Sequence, residues 1–444
     1  MADRKVSSLT VMAAGDLDPV NDRLLVSDTS ASASKAMAPA EMIRASLPYI
    51  STFWDFTTGS LLPTVSFTRA STGWRFNSSG VLVPETTDVA RFQYDPATLT
   101  PRGLMIEEAR TELIVQSEDG STGWTLARAS IMPNTAVAPD GTTTMDSLIE
   151  DGTASQTHAM SRQFVHLAAT PYVYSCVAKA STRSWLMLSF SSAAFGSTLR
   201  AWFDVANGVV GTVSPGVSAF IQSLGGGLYR CVAIAMSTGG GNASWGLSLA
   251  PGDTVQTYSG DGTSGLYVWG MQAQVGDAAG SYIKTTESQV ARAADVALIT
   301  NSQTLADQCW IVKGRTPRKL AGGAVNVAFQ VDDGSGNNRR TLRYGTDGRL
   351  HAIATVGGAD QCDLDLGSAA NDTDFAVAIR WANNNFAASL NGGAIVTDTS
   401  GSNPLGLTTA RVGRGSAGNY WNSTIRTIET RRTASDAELP LLAA

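Results

Sequence analysis

Residues 170–181 read TPYVYSCVAKAS and residues 199–213 read LRAWFDVANGVVGTV, runs in which apolar and polar side chains alternate until glycine or asparagine breaks the rhythm. A helix repeats its apolar positions every three to four residues, whereas a strand sends successive side chains to opposite faces, so a period of two is a strand pattern. The rhythm returns in RSWLMLSFSS at 183–192, GGGLYRCVAIAM at 225–236, ASWGLSLAP at 243–251 and SGLYVWGMQAQVG at 264–276. Short alternating runs at such intervals predict a β-sandwich over residues 123–295. A helical reading fails because glycine and β-branched residues interrupt every helical period.

The pattern continues downstream in QCWIVKGRTP, AVNVAFQVDD, RRTLRYG, LHAIATVG and FAVAIRWANNNFAASLNGG, and in the run ending STIRTIETRRT. Turns at Asn383 to Asn385 and at Asn391-Gly392-Gly393 mark consecutive hairpins, since Asn and Gly tolerate positive φ. A second β-sandwich is expected over residues 296–444, with ASDAELPLLAA as a short helical tail. A chain of 444 residues fits several cores at roughly 100 to 200 residues per domain. Forty-four glycines and only 16% charged residues fit short strands and tight turns, so the predicted class is mainly β, with tandem β-sandwich (jelly-roll) domains after a short N-terminal segment.

Residues 1–48 form that segment. Pro39 suits a first helical turn, and Met42, Ile43 and Leu47 then fall on one helical face too small to bury itself. Residues 49–122 read as an irregular β linker region. There Arg69 and Arg91 are expected to bridge to Glu107, Glu108 and Glu112, tying the region together or joining subunits; exposed bridges of this kind are worth only ~0 to 1 kcal/mol each.

Within residues 67–124 stand the phrases FTRAST at Phe67, GVL at Gly80, ARFQYDP at Ala90, PRGLMIEEARTEL at Pro101 and QSEDGSTGW at Gln116. They resemble a module shared by tailed-phage and phage-like fibre, spike and minor tail proteins. GLYVWGMQAQVG with SYIKTTESQVARAADV resembles the last strand and exit of a carbohydrate-binding-module-like jelly roll, and residues 296–444 resemble a concanavalin-like or laminin-G-like sandwich. The resemblance implies a virion structural protein, a tail fibre, spike or tail-tip component for host attachment through a surface glycan. It implies a homotrimer docked to other tail or capsid proteins through residues 1–48, which resemble the N-terminal segment of phage fibres. The alternatives are a capsule depolymerase, a structural head or tail decoration protein, and a secreted lectin.

A formal charge of −6 counts against a phosphate-binding surface and so against nucleic acid. No apolar run approaches the ~18 residues that cross a bilayer, and MADRKVSSLT carries charge where a signal peptide needs an apolar core; a virion location without secretion is expected. Cys176, Cys231, Cys309 and Cys362 lack the close spacing of a zinc site and read as small buried hydrophobes.

No enzyme is expected. Glucanases on concanavalin-like sandwiches need two carboxylates projecting from one strand face, and Asp363-Leu364-Asp365 offers only part of that pattern, with Gln361 and Gly367 at the flanking positions. His158, His166 and His351 are scattered, and no G-x-S-x-G elbow accompanies them. The Gly225–Gly227 and Gly239–Gly241 runs read as turns. The DDGSGNN run gives Asp332 and Asp333 as calcium candidates; no other cofactor is implied. Ten tryptophans matter more, because an indole face packs against a sugar ring. Trp74, Trp381 and Trp421 have polar neighbours and, with the amides of Asn383 and Asn419, are the nominated glycan ligands. Trp185, Trp202, Trp245 and Trp269 lie in alternating runs and are expected in the core.

Overall fold

The strand Pro171–Lys179 shows how the alternation becomes architecture. Tyr172, Tyr174, Cys176 and Ala178 point into a core shared with Leu186, Leu188, Phe190 and Trp245. Val173 and Val177, on the opposite face, are buried as well, against Leu320 and Trp269 respectively. A strand covered on both faces reads as nearly continuous apolar sequence, which is why YVYSCVA holds so little polarity. The computed structural model describes residues 24–26, 35–37, 50–300 and 308–444. The helix expected after Pro39, with Met42, Ile43 and Leu47, lies outside the described residues.

Two antiparallel sheets make the first sandwich. One runs in the order Thr125–Ala127, Ala159–His166, Gly241–Ala250, Trp185–Phe190, Leu199–Asp204, Val209–Val213. The other runs Ala129–Ala136, Met145–Glu150, Gly265–Val275, Pro171–Lys179, Leu228–Met236, Val217–Gly225, with Arg110–Glu112 paired to both Gly265–Val275 and Val290–Arg292. Cys176 and Cys231 face each other in register across two of these strands, unlinked. Burial pushes the Cys176 thiol up to about 12, so it packs as a neutral group.

The second sandwich departs from the expected division at residue 296. Its seven-stranded sheet ends in Val296–Ile299 paired with Val65–Thr68, and in its other sheet Ser423–Arg431 pairs with both Ile50–Asp55 and Pro101–Ile106. Residues 50–106 therefore do not form a separate linker: Ile50–Asp55, Val65–Thr68, Phe92–Tyr94 and Pro101–Ile106 complete the sheets of the C-terminal sandwich, Gly73–Phe76 and Leu82–Glu85 pair as a hairpin of their own, and Trp54, Phe56, Leu104 and Ile106 share the C-terminal core with Trp310, Phe329 and Ile425. The first sandwich is inserted between the two parts. Pairing is tight where the parts meet: a Cβ on Gly103, at φ +95°, would lie 2.2 Å from the carbonyl oxygen of Ile425, so the glycine of the PRGLMIEE phrase permits this strand contact. The expected helical tail is present as Glu438–Leu442.

The chain enters the insert just after Ile106 and leaves it just before Val296, and a buried ionic network joins these two crossings. Asp295 accepts from Arg69 Nη1 at 3.2 Å and from Arg91, and Glu107 Oε2 lies 2.7 Å from Arg91 Nη2 and also pairs with Arg292. Ser281 Oγ donates to Glu107 Oε2 at 2.7 Å, and the Glu107 amide donates to Asp295 Oδ2 at 2.9 Å. Every one of these charged side chains is at most 3% exposed. The expected bridging is thus partly met. Arg91 reaches Glu107, but Arg69 pairs with Asp295, Glu108 pairs with Arg110, and Glu112 has no arginine partner among the described residues. Instead Glu112 accepts from the amides of Ile114 and Ala273 and from the side chains of Gln272 and Gln274.

Burial alone would raise the Glu107 carboxyl, yet the guanidiniums of Arg292 and Arg91 overcome it and hold the group well below the usual carboxylate range. A depressed folded pKa contributes stability that is present above the unfolded value near 4.5 and is lost as pH falls below it. Glu107→Gln leaves two buried guanidiniums short of charge and should cost about 3–5 kcal/mol at pH 7. Urea unfolding at pH 7 and pH 3 checks this: the gap between wild type and variant narrows in acid, and an equal gap at both pH values contradicts the assignment.

Candidate functional site

The outer face of the six-stranded sheet of the inserted sandwich carries a trough of 240 Å³. Strand register builds it. Thr125 lies opposite Ser161, Ser161 opposite Gly246, Gly246 opposite Ser189 and Ser189 opposite Arg200, giving one row of small residues across five strands that ends in a guanidinium. The next row on the same face runs Ala127, Ala159, Ser248, Met187, Trp202. Neighbouring strands lie about 4.8 Å apart, so side chains this short leave a shallow channel across the strands. Gly246 deepens it, since a Cβ there would lie 2.5 Å from Ser189 Oγ.

The trough has an apolar floor and a hydroxyl-rich lining. Met187 and Ala159 give the apolar part of the lining, with buried Trp202 and Ala250 packed against Met187 and half-buried Trp185 beside them, while Ser161, Ser189, Ser244 and Ser248 line the channel. Arg200 donates from Nη1 to the Thr198 carbonyl at 3.3 Å and pairs with no carboxylate among the described residues. No Asp or Glu lines the trough. Its chemistry is therefore hydrogen bonding and apolar contact, without a group for general acid or base work.

Trp185 and Trp202 were both expected in the core: Trp202 is buried in a small cluster with Met187 and Ala250 apart from the main core, while Trp185 is only half-buried beside it, and Trp245 and Trp269 are fully buried as expected. The missed signal is parity. In Leu199–Asp204, LRAWFD, Trp202 shares a face with Arg200 and Asp204, while Ala201 and Phe203 take the core face.

The nominated glycan ligands are not assembled into one site. Trp381 is fully buried edge-on against Trp310 at 5.0 Å, and Trp421 is fully buried against Phe375 at 5.4 Å with its indole N–H donated to the Arg315 carbonyl at 2.8 Å. Neither ring offers a face to a sugar. Their polar neighbours belong to the loop backbone while the rings turn inward to fill the second core. Asn383 and Asn419 are exposed, and Asn383 Oδ1 accepts the Asn403 amide at 2.6 Å. Trp74 is half-buried, edge-on to Tyr282 at 5.5 Å, and lines a cleft between the two sandwiches.

The calcium candidates are already satisfied by protein. Asp332 is fully buried and held by Arg411 at 2.6 and 3.1 Å, with Gln330 donating at 2.8 Å. Asp333 accepts from Ser335 and Asn338 and closes a polar hairpin. A cation already neutralises one carboxylate, and no cluster of three or more His, Cys, Asp or Glu suited to a metal occurs among the described residues, so the loop does not fit calcium. Asp363 and Asp365 project outward as their alternation required, but Asp363 bonds His351 Nδ1 at 2.8 Å and Asp365 bonds Arg349 Nε at 2.7 Å.

No family model matches the chain, and no curated protein does. Among solved structures, the CBM40 of the Ruminococcus gnavus IT-sialidase is similar over 32% of this chain. Its form bound to α2,6-sialyllactose shows 17% identity and a TM-score of 0.27, with 87% of that chain covered. The unliganded form gives 17%, 0.28 and 86%, and the form bound to α2,3-sialyllactose gives 16%, 0.28 and 86%. These values describe a limited likeness of chain path.

Trp381→Ala should destabilise the chain by about 3–5 kcal/mol, the cost of emptying a core indole site. Thermal melts should be the same with calcium or a chelator. A stable Trp381→Ala variant, or a calcium-dependent rise in Tm, would reverse these assignments.

Proposed function

We propose that this chain is a non-catalytic attachment protein of a phage-type particle, and that its inserted sandwich binds a saccharide along the trough. The observation that carries the saccharide half is the composition of that surface: apolar Met187 and Ala159, a row of serine hydroxyls and one guanidinium, with no carboxylate. Sugars combine apolar ring faces with dense hydroxyls, and sites for such ligands pair apolar surface with a few placed polar groups. The particle half rests on the phrases between Phe67 and Trp124 and their likeness to tail proteins. Homotrimer formation and docking through residues 1–48 belong to this same reading.

Depolymerase activity has less support. Asp363 and Asp365 each hold a basic partner, and the trough lacks the two carboxylates that glycoside cleavage uses.

A glycan array probed with the purified chain should show saccharide binding that falls at least tenfold in Arg200→Ala and in Ser161→Tyr, which blocks the channel, with Tm nearly unchanged in Arg200→Ala. Full binding by both variants would refute the trough, and release of reducing ends from a bound polymer would refute the non-catalytic reading. An antibody against the chain should label particle tails in electron micrographs. Particles without label would remove the virion half and leave saccharide binding standing.

A further inference from the structure

A second cavity, separate from the trough, lies where the two sandwiches meet. The inserted sandwich turns the outer face of Val217–Gly225 and Leu228–Met236 toward residues of the second sandwich, leaving a cleft of 360 Å³. That volume falls at the small end of the roughly 300–1,000 Å³ typical of small-molecule sites.

Charge in the cleft is unbalanced. Of its lining arginines, Arg75 is paired with Glu85, Arg102 with Asp95, and Arg315 and Arg318 with Asp372. Arg230 is different: it donates from Nη2 to Ser175 Oγ at 3.2 Å and pairs with no carboxylate among the described residues. A guanidinium has five N–H donors, so most of Arg230's hydrogen-bonding capacity is unused by protein. Burial, followed by the nearby charge of Arg318, pushes the Arg230 guanidinium down to about 10. Nearby Glu107 and Glu112 pull the other way, but Glu107 is already engaged by Arg91 and Arg292, and an anion bound directly to Arg230 would offset both the burial and the Arg318 charge.

The rest of the lining suits a hydroxylated ring. Tyr94 and Gln222 line the cleft, and neither side chain has a hydrogen-bond partner among the described residues. Trp74 adds apolar wall. We propose that this cleft binds a small saccharide carrying a carboxylate, of the uronic acid type, with the carboxylate received by Arg230 beside Arg318 and the ring hydroxyls by Tyr94 and Gln222. Arginine suits that role because its planar fork matches a carboxylate with two parallel hydrogen bonds.

The site stands independently of the trough, so the two can fail separately. Isothermal titration of the intact chain at pH 7.5 and fixed ionic strength, with sodium glucuronate, glucose and sodium sulfate, tests it. Saturable binding of glucuronate is expected, with no binding of glucose and weaker binding of sulfate. Arg230→Gln should weaken glucuronate at least tenfold and Arg230→Lys less, while Arg349→Ala, at an exposed arginine outside the lining of the cleft, leaves it unchanged. Removing an unpaired guanidinium should leave the Tm of Arg230→Gln equal to or above wild type. If that variant misfolds, Gln222→Trp, which fills the cleft, should abolish binding instead. No glucuronate binding, full binding by both Arg230→Gln and Gln222→Trp, or sulfate binding as tight as glucuronate would overturn the proposal.

Discussion

Three arginines and two carboxylates, buried where the chain enters and leaves the inserted sandwich, hold this molecule in one arrangement. Arg69 and Arg91 come from the N-terminal strands of the second sandwich, Glu107 from the entry, Arg292 and Asp295 from the exit. Each carboxylate touches two guanidiniums, so no single ion is left facing a low-dielectric interior without an opposite charge. Replacing such a cluster with apolar groups often costs little, whereas removing one member costs much. Its value here lies in geometry. Carboxylates shared between arginines fix both crossings, and Gly73 admits the cluster, since a Cβ there would lie 2.9 Å from both Arg69 Nε and Arg91 Cδ.

With the crossings fixed, one sheet of the insert becomes an internal layer. Val173, Val232 and Ile234 on its outer face are covered by Leu320, and the Ala324 amide donates to Asp277 across the same contact. The other sheet keeps its outer face open, which is why the trough is found there. The same junction holds the cleft, whose lining comes from the inserted sandwich, from the second sandwich and from Glu107 of the ionic cluster. Both cavities are thus consequences of how the insert is held.

Much of this was legible in the sequence. Period-two alternation named the strands, since burying one face of a sheet imposes that rhythm directly. The arginine and glutamate phrases were legible as bridges, but Arg69's true partner, Asp295, is separated from it by 226 positions, and spacing carries no information over that range. The insertion was hidden for the same reason: Val65–Thr68 joins Val296–Ile299 only after the whole first sandwich has intervened. Trp381 and Trp421 misled because asparagine-rich flanks report on a loop's backbone, and a loop at the end of a sandwich can still send its ring into the core. Trp185 misled in the opposite direction: it is half-buried beside Trp202, whose parity with Arg200 and Asp204 sets it on the face away from the main core.

Glu107 and Glu112 stand five positions apart and respond to burial in opposite ways. Glu107 meets two guanidiniums and is held ionised, so its contribution is full above about 4.5 and fades in acid. Glu112 meets only neutral N–H donors, and burial pushes its carboxyl up to about 8 against their pull. A raised folded pKa reverses the sign: its contribution is full below the unfolded value near 4.5 and declines as pH rises toward 8. The strand that enters the insert therefore carries one carboxyl that favours the folded state when charged and another that favours it when neutral. Both lie beside the junction, because Gln272, which donates to Glu112, also lines the cleft that Arg230 faces. Negative charge at the entry to the insert is consequently carried by Glu107 and Glu108, which arginines receive, and withheld from Glu112, which none does among the described residues.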